Sequence, residues 1–149
     1  MKGPLFYAKI LLFGEYGIIK DSKGLAIPFS SYKGALKSSS NLSGEAQKSN
    51  QNLIKLYDYL EANASELVSF DFTSFKNDIG SGMYFDSSIP QGYGVGSSGA
   101  LVASIYDQYA HNKITILENL TRDKLLKLKE IFSFMESFFH GKSSGLDPL

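Results

Sequence analysis

The sequence contains no cysteine and almost no arginine. Without cysteine, a disulfide framework, a thiol nucleophile and a cysteine metal site are excluded, and the composition fits a reducing, cytoplasmic setting. Arg122 is the one arginine, and fifteen basic residues are balanced by fifteen acidic residues, so the formal net charge is zero. We therefore expect no nucleic-acid surface.

Long apolar runs are also missing. The most apolar stretch, residues 5–13, is interrupted by Lys9 and is followed by no signal-cleavage pattern, so no membrane segment is expected. With 149 residues, 43% of them hydrophobic, the chain is long enough for one domain with a real core. Lys9 is the anomaly, since a buried lysine either extends its charge to the surface or faces an anionic site.

The first half of the chain predicts strands and one amphipathic helix. Residues 5–13 indicate a buried strand, and two shorter strands joined by a turn should follow it, with Pro28 favouring an edge position. Residues 38–52 are predicted to form a polar loop. The remaining predictions here are a helix at 51–62 and a hairpin made of strands at 67–72 and 83–87.

The second half predicts two helices. The first runs from Ser97 to about His111, with Leu101, Val102, Ile105, Tyr106 and Tyr109 facing the core. The second begins after an N-cap at Thr121 and ends at Gly141. Neither His111 nor His140 has a second ligand at workable spacing, so we expect structural or capping roles for both.

A glycine-rich stretch, residues 89–100, leads into the first of these helices. Gly92, Gly94 and Gly96 alternate with other residues, so the backbone can adopt positive φ angles and converge several amides on one anion. Ser97 and Ser98 suit a helix start, where phosphate is favoured. The stretch indicates a phosphate cradle, although a glycine-rich turn before a buried helix would also have this composition.

Two common nucleotide-binding patterns compete for this stretch. The P-loop pattern is excluded, because it requires Gly-Lys-Ser/Thr and no lysine lies between Gly80 and His111. The Rossmann pattern stays open. Gly94, Gly96 and Gly99 match it literally, and a strand-like segment ends about twenty residues later at Glu118.

The third pattern, P-x-G-x-G-x-G-S-S-x-A, resembles the ATP-binding motif of the GHMP kinases, the superfamily of galactokinase, homoserine kinase, mevalonate kinase and phosphomevalonate kinase. Residues 90–100 match it. Lys9 to Glu15 resembles the K-[VI]-x-L-x-G-E segment near the family's N-terminus. His140 to Asp147 resembles the H-G-x-x-S-G-x-D segment of mevalonate kinases. The three motifs occur in the family's order.

This resemblance implies an α+β fold of the ribosomal protein S5 domain 2-like type, with a mostly antiparallel sheet and helices on one side. It implies ATP-dependent phosphorylation of a small-molecule alcohol with Mg²⁺, best matched by the 5-hydroxyl of mevalonate in isoprenoid precursor synthesis. The alternatives are a GHMP kinase acting on another alcohol, a Rossmann-type NAD-binding oxidoreductase, and a non-catalytic nucleotide-binding fragment.

The resemblance also implies residue roles. Asp147 would orient or deprotonate the substrate hydroxyl, and Lys9 would stabilise negative charge on it. Ser98 and Glu136 would hold Mg²⁺, while Glu15, Tyr16 and Ser144 would lie on the substrate side. The residues expected to hold ATP are Pro90, Gly92, Gly94, Val95, Gly96, Ser97, Ser98 and Gly99.

The chain departs from the family pattern in places. Tyr16 stands where mevalonate kinases usually carry histidine, Gly99 replaces the commoner alanine, and Pro148 replaces the usual asparagine. Family members are also longer than this chain. We therefore expect residues 1–149 to be a GHMP kinase N-terminal domain that lacks the C-terminal domain. The resemblance allows a homodimer.

Overall fold

The described part of the chain forms an α+β fold with one antiparallel sheet and four helices. The computed structural model describes residues 4–13, 25–63, 66–115, 120–141, 145 and 148–149. Its strands are β1 (Phe6–Phe13), β2 (Leu25–Ser38) and β3 (Met83–Ser87); its helices are α1 (Gly44–Ala62), α2 (Phe72–Gly80), α3 (Ser97–Tyr109) and α4 (Arg122–His140). The predicted fold class is confirmed.

Two apolar clusters hold these elements together. The larger one lies among the four helices, where α4 packs against α1 and α3 and contributes four buried apolar side chains. These are Leu128, Ile131, Phe132 and Met135. The smaller cluster joins Ala8 of β1, Phe85 of β3, Ile89 and Ala100 of α3. The smaller cluster therefore fixes the start of α3 to the sheet.

Strand β2 is the middle strand, and it is continuous where two shorter strands were predicted. The sheet order is β1-β2-β3, and both pairs are antiparallel. Leu25 to Phe29 pair only with β1, whereas β3 pairs with Gly34 to Ser38. Pro28 therefore has a described strand on one side only. This local edge tolerates a residue that lacks an amide donor.

Helix α1 begins at Gly44, so the predicted polar loop at 38–52 was mostly wrong. Its first half has few apolar residues and is held to the sheet by polar side chains instead. The Ser49 Oγ accepts a hydrogen bond from the Phe85 N–H (2.9 Å) and donates one to the Phe85 carbonyl (3.0 Å). The Asn50 side-chain amide donates to the carbonyls of Ile79 and Met83. The spacing of apolar residues in the sequence cannot predict such polar contacts.

The predicted hairpin before β3 was also wrong, while β3 itself is confirmed. Phe70 forms only an isolated bridge with Ala110, and the following residues form α2. Asp71 caps this helix by accepting a hydrogen bond from the Ser74 N–H (2.9 Å). Hydrogen bonds from the Ser74 side chain and backbone lower the pKa of Asp71. The cap and the buried Phe75, one turn before the buried Ile79, were the overlooked helix signal.

Helices α3 and α4 lie where the sequence predicted them. The Thr121 hydroxyl accepts a hydrogen bond from the Lys124 N–H (3.3 Å), and α4 ends at Gly141 with a φ of 69°. At the end of α3, the Tyr109 hydroxyl donates to the Asp78 carboxylate (2.7 Å). Burial first and this bond second raise the pKa of Tyr109. Among the described residues, no helix is long and apolar enough to cross a membrane.

The turn between α2 and β3 offers a test of this packing. An added Cβ at Gly82, whose φ is +87°, would lie 2.1 Å from the Ser39 carbonyl oxygen, whereas one at Gly80 would meet no described atom within 4 Å. We expect Gly82→Ala to lower the free energy of unfolding by more than about 2 kcal/mol, because backbone strain and a steric clash add. Gly80→Ala, the matched control, should be neutral or stabilising. Urea denaturation measures both, and equal effects would contradict this packing.

Candidate functional site

The glycine loop, defined here as residues 90–96, has left-handed backbone at three alternate positions. The φ angles are 80° at Gly92, 67° at Gly94 and 79° at Gly96. An added Cβ at Gly92 or Gly94 would meet no described atom within 4 Å, so backbone conformation rather than crowding demands glycine there. A side-chain-bearing residue would cost roughly 1–2 kcal/mol at each such position.

The glycine loop passes directly into the first turn of α3. Gly96 is the N-cap residue, has no side chain to satisfy the first amides, and accepts the first helical hydrogen bond from the Ala100 N–H (2.9 Å). Ser97 and Ser98 open the helix, and no acidic residue lies in its first turn. The first amides of a helix have no partner within it and lie at the positive end of its dipole. The arrangement therefore suits an anion.

Strand β1 holds the glycine loop in place. The Lys9 backbone N–H donates a hydrogen bond to the Val95 carbonyl (3.2 Å). The Lys9 Cγ lies 3.5 Å from the position that a Cβ on Gly96 would occupy, and the residue is half-buried. The stem of the anomalous lysine therefore runs beside the glycine loop.

Helix α4 approaches the same place from the other side. The Ser98 Oγ lies 3.1 Å from the His140 Nε2, across 42 positions of sequence. Glu136 lies one helical turn before His140, so the two share a face of α4, and Glu136 is fully buried. Fully buried glutamates are rare in proteins because removing a carboxylate from water is costly. Glu136 therefore places a buried carboxyl group on the face of α4 that reaches α3.

Gly145, which follows α4 in the sequence, lies directly on that helix. An added Cβ at the buried Gly145 would lie 1.9 Å from the Lys129 carbonyl oxygen and 2.6 Å from the Ser133 nitrogen. The backbone therefore contacts α4 at a distance that only glycine permits. Gly145 therefore lies beside Lys129, more than two turns before the end of α4.

The structure brings together some of the predicted site residues and says nothing about others. Lys9, the glycine loop and the start of α3 are adjacent, and Ser98 is linked to α4 near Glu136. Glu15, Tyr16, Ser144 and Asp147 lie outside the described residues, as does Glu118 of the Rossmann alternative. Within the described part of the chain, no group of three or more His, Asp or Glu side chains could hold a metal ion.

Sequence reasoning missed two features of this site. It predicted a structural or capping role for His140, which lies in the last turn of α4, but did not predict the contact of His140 with Ser98. Its position four residues after Glu136 was the available signal, because this spacing puts both side chains on one helix face. It also missed the close packing of Gly145 against α4, because no local sequence pattern indicates such a contact.

The fold and the site define a class. This is a small α+β domain with an antiparallel sheet and an anion-receptive glycine loop at a helix start, and the described sheet has none of the parallel pairing that a Rossmann domain requires. The family model described as GHMP kinases N terminal domain matches residues 48–148. The chain belongs to this family. No curated protein and no solved structure matches it significantly.

Two glycines after α4 provide a matched test of the Gly145 contact. Both have a φ of +69°, but a Cβ at Gly141 would meet no described atom within 4 Å, whereas one at Gly145 would overlap the α4 backbone. Positive φ penalises alanine at both positions, and at Gly145 a steric clash with the α4 backbone is added. We expect Gly145→Ala to reduce the free energy of unfolding by at least about 1 kcal/mol more than Gly141→Ala. Indistinguishable urea midpoints would show that the segment does not pack against α4.

Proposed function

We propose that this chain is the ATP-binding and catalytic domain of a GHMP-type kinase that phosphorylates a small-molecule alcohol. The observation that carries the proposal is the glycine loop, with three left-handed glycines leading into the uncapped first turn of α3. The hydrogen bond between Lys9 and Val95 fixes this loop beside β1. Membership of the kinase family supports the same activity.

The nucleotide's phosphates would bind along the glycine loop and the first turn of α3. Backbone amides there offer donors that no helical carbonyl uses, and an added Cβ at Gly92 or Gly94 would meet no described atom within 4 Å. The binding residues in this proposal are Pro90, Gly92, Gly94, Val95, Gly96, Ser97, Ser98 and Gly99.

Ser98 and Glu136 fit a magnesium site. Mg²⁺ prefers oxygen ligands and usually takes only one or two carboxylates, with water and phosphate oxygens filling the other positions. The contact between Ser98 and His140, which lies one helical turn after the buried Glu136, supports this pairing of a hydroxyl with a carboxylate. When bound, the ion would neutralise charge on the phosphate oxygens.

Asp147 and Lys9 would act on the attacking hydroxyl. In this proposal Asp147 accepts the proton of the substrate alcohol, and Lys9 stabilises negative charge on the same oxygen. The stem of Lys9 lies beside the glycine loop, as this role requires. Gly145, two residues before Asp147 in the sequence, is seated on α4.

The proposed acceptor is the 5-hydroxyl of mevalonate. The support is the match of residues 140–147 to the mevalonate kinase segment, with Glu15, Tyr16 and Ser144 on the acceptor side. Tyr16 and Pro148 differ from the usual residues of that pattern, so another alcohol phosphorylated by this family is the alternative. A product assay with mevalonate, homoserine and galactose as acceptors separates these cases.

The first functional prediction concerns ligand class. We expect Mg-ATP to raise the melting temperature, because a ligand that binds only the folded state stabilises it, by about 2.7 kcal/mol at one hundred times its dissociation constant. NAD at the same concentration should have no effect. A thermal-shift series with Mg-ATP, ATP plus EDTA, and NAD measures this. Stabilisation by NAD alone would overturn the kinase proposal.

The second functional prediction concerns the proton acceptor. Asp147→Asn should leave Mg-ATP affinity nearly unchanged but slow phosphoryl transfer by about 10²–10⁴-fold, because the amide cannot draw the proton from the alcohol. Lys9→Met should also slow turnover, and the double variant should lose much less than the product of the two effects.

Asp107→Asn is the matched control, since this exposed aspartate on α3 pairs only with Lys113 among the described contacts. Its turnover should match that of the unaltered chain. Near-normal turnover of Asp147→Asn would refute the assigned role. Mg-ATP binding without product from any acceptor would instead favour the non-catalytic fragment.

A further inference from the structure

His140 links the two helices that flank the candidate metal site. Its Nε2 lies 3.1 Å from the Ser98 Oγ, although the ring is otherwise exposed. His140 is the last residue of α4, and Ser98 is the second residue of α3. The contact therefore joins the C-terminal end of one helix to the N-terminal end of another.

The backbone around His140 is well held. The Gly141 N–H donates a hydrogen bond to the Ser137 carbonyl (3.0 Å), which closes the last turn of α4. The buried Met135 and Glu136 lie in the preceding turn. His140 is therefore attached to a fixed helix end, and its ring can hold the Ser98 side chain at a defined position relative to Glu136.

A serine hydroxyl rotates about its Cβ–Oγ bond and carries one proton and two lone pairs. A hydroxyl that is to face a cation or an N–H donor must direct its proton elsewhere. A neutral imidazole whose Nε2 has no proton accepts that proton in a hydrogen bond, and both oxygen lone pairs then remain available.

We propose that His140 is a positioning residue for Ser98, an inference that rests on the proposed kinase function. The His140 Nε2 accepts the hydrogen bond of the Ser98 hydroxyl and turns the lone pairs of Oγ towards the metal and phosphate side. It also fixes the spacing between Ser98 and Glu136 through the last turn of α4. Partners that orient a metal ligand typically contribute 10- to 100-fold to metal affinity.

A plain capping role makes a different prediction. A positive side chain at a helix C-terminus interacts favourably with the helix dipole. If this were the function of His140, lysine would replace it, and the variants would change stability without changing the metal dependence of ATP binding. In the positioning role, glutamine replaces histidine because it offers an acceptor oxygen, and lysine does not because it has none.

The test compares the affinity of the chain for Mg-ATP and for ATP in EDTA, measured by calorimetry. We expect His140→Leu to weaken Mg-ATP binding about tenfold and to leave metal-free ATP binding little changed. His140→Gln should restore most of the affinity, and His140→Lys should not. Ser98→Ala should cause a similar loss, and the double variant with His140→Leu should lose no more than either single one.

His111→Leu is the matched control, because the chain has only two histidines and His111 lies in an exposed turn after α3. It should leave both affinities unchanged. It also assigns the NMR signals of the remaining ring, whose neutral form should show a proton on Nδ1 and none on Nε2. Ser98→Ala should shift the His140 signals and leave those of His111 in place.

The outcomes distinguish a failure of this inference from a failure of the proposed kinase function. If the unaltered chain does not bind Mg-ATP, the proposed function fails and this inference fails with it. If it binds Mg-ATP but His140→Leu weakens both forms of ATP equally, or lysine replaces histidine fully, only the positioning role is overturned. A neutral His140 ring with its proton on Nε2 would overturn it as well.

Discussion

The site depends on one backbone hydrogen bond, from the Lys9 N–H to the Val95 carbonyl. A loop with left-handed glycines has little apolar surface of its own, so its shape must be fixed by what it touches. Ile89 anchors its beginning in the smaller apolar cluster, and Ala100 of α3 lies in the same cluster at its end. The bond to β1 holds Val95, just before the start of α3. The conformation of the glycine loop therefore depends on how the loop packs against the sheet.

The elements that the sequence predicted correctly are those with local signals. β1 and β3 have short apolar patterns, while α3 and α4 combine apolar periodicity with a glycine start or a threonine cap. The first half of α1 lacked such a signal, because Ser49 and Asn50 hold it to the backbone around β3, more than 28 residues away. Residues 67–72 alternate as a strand would and residues 77–82 are rich in turn formers, so together they imitated a hairpin. Tertiary burial of Phe75 instead favoured a helix at 72–80.

In the candidate site, too, local features could be predicted from the sequence and tertiary contacts could not. Positive φ is a property of a single residue, so the conformation of the glycine loop could be predicted from its glycines alone. The contact between Ser98 and His140 could not, because it depends on how α3 and α4 pack. The contact of Gly145 with α4 is also a tertiary contact. It could not be predicted, because a glycine in a serine-rich segment resembles any turn residue. The family resemblance supplied the proposed roles of Glu136 and Asp147, which local chemistry left as ordinary surface or turn residues.

Helix α4, rather than the glycine motif, sets the spacing of the candidate site. It carries the buried Glu136, contacts Ser98 through His140 and receives Gly145 on its backbone near Lys129. Its inner face is fully buried in the larger cluster, so a shift of the helix would disturb the core and all three contacts together. Cores of this density resist small displacements. The relative position of the glycine loop and of Gly145 is therefore determined by core packing about one helix, so changes to core residues of α4 should disturb both.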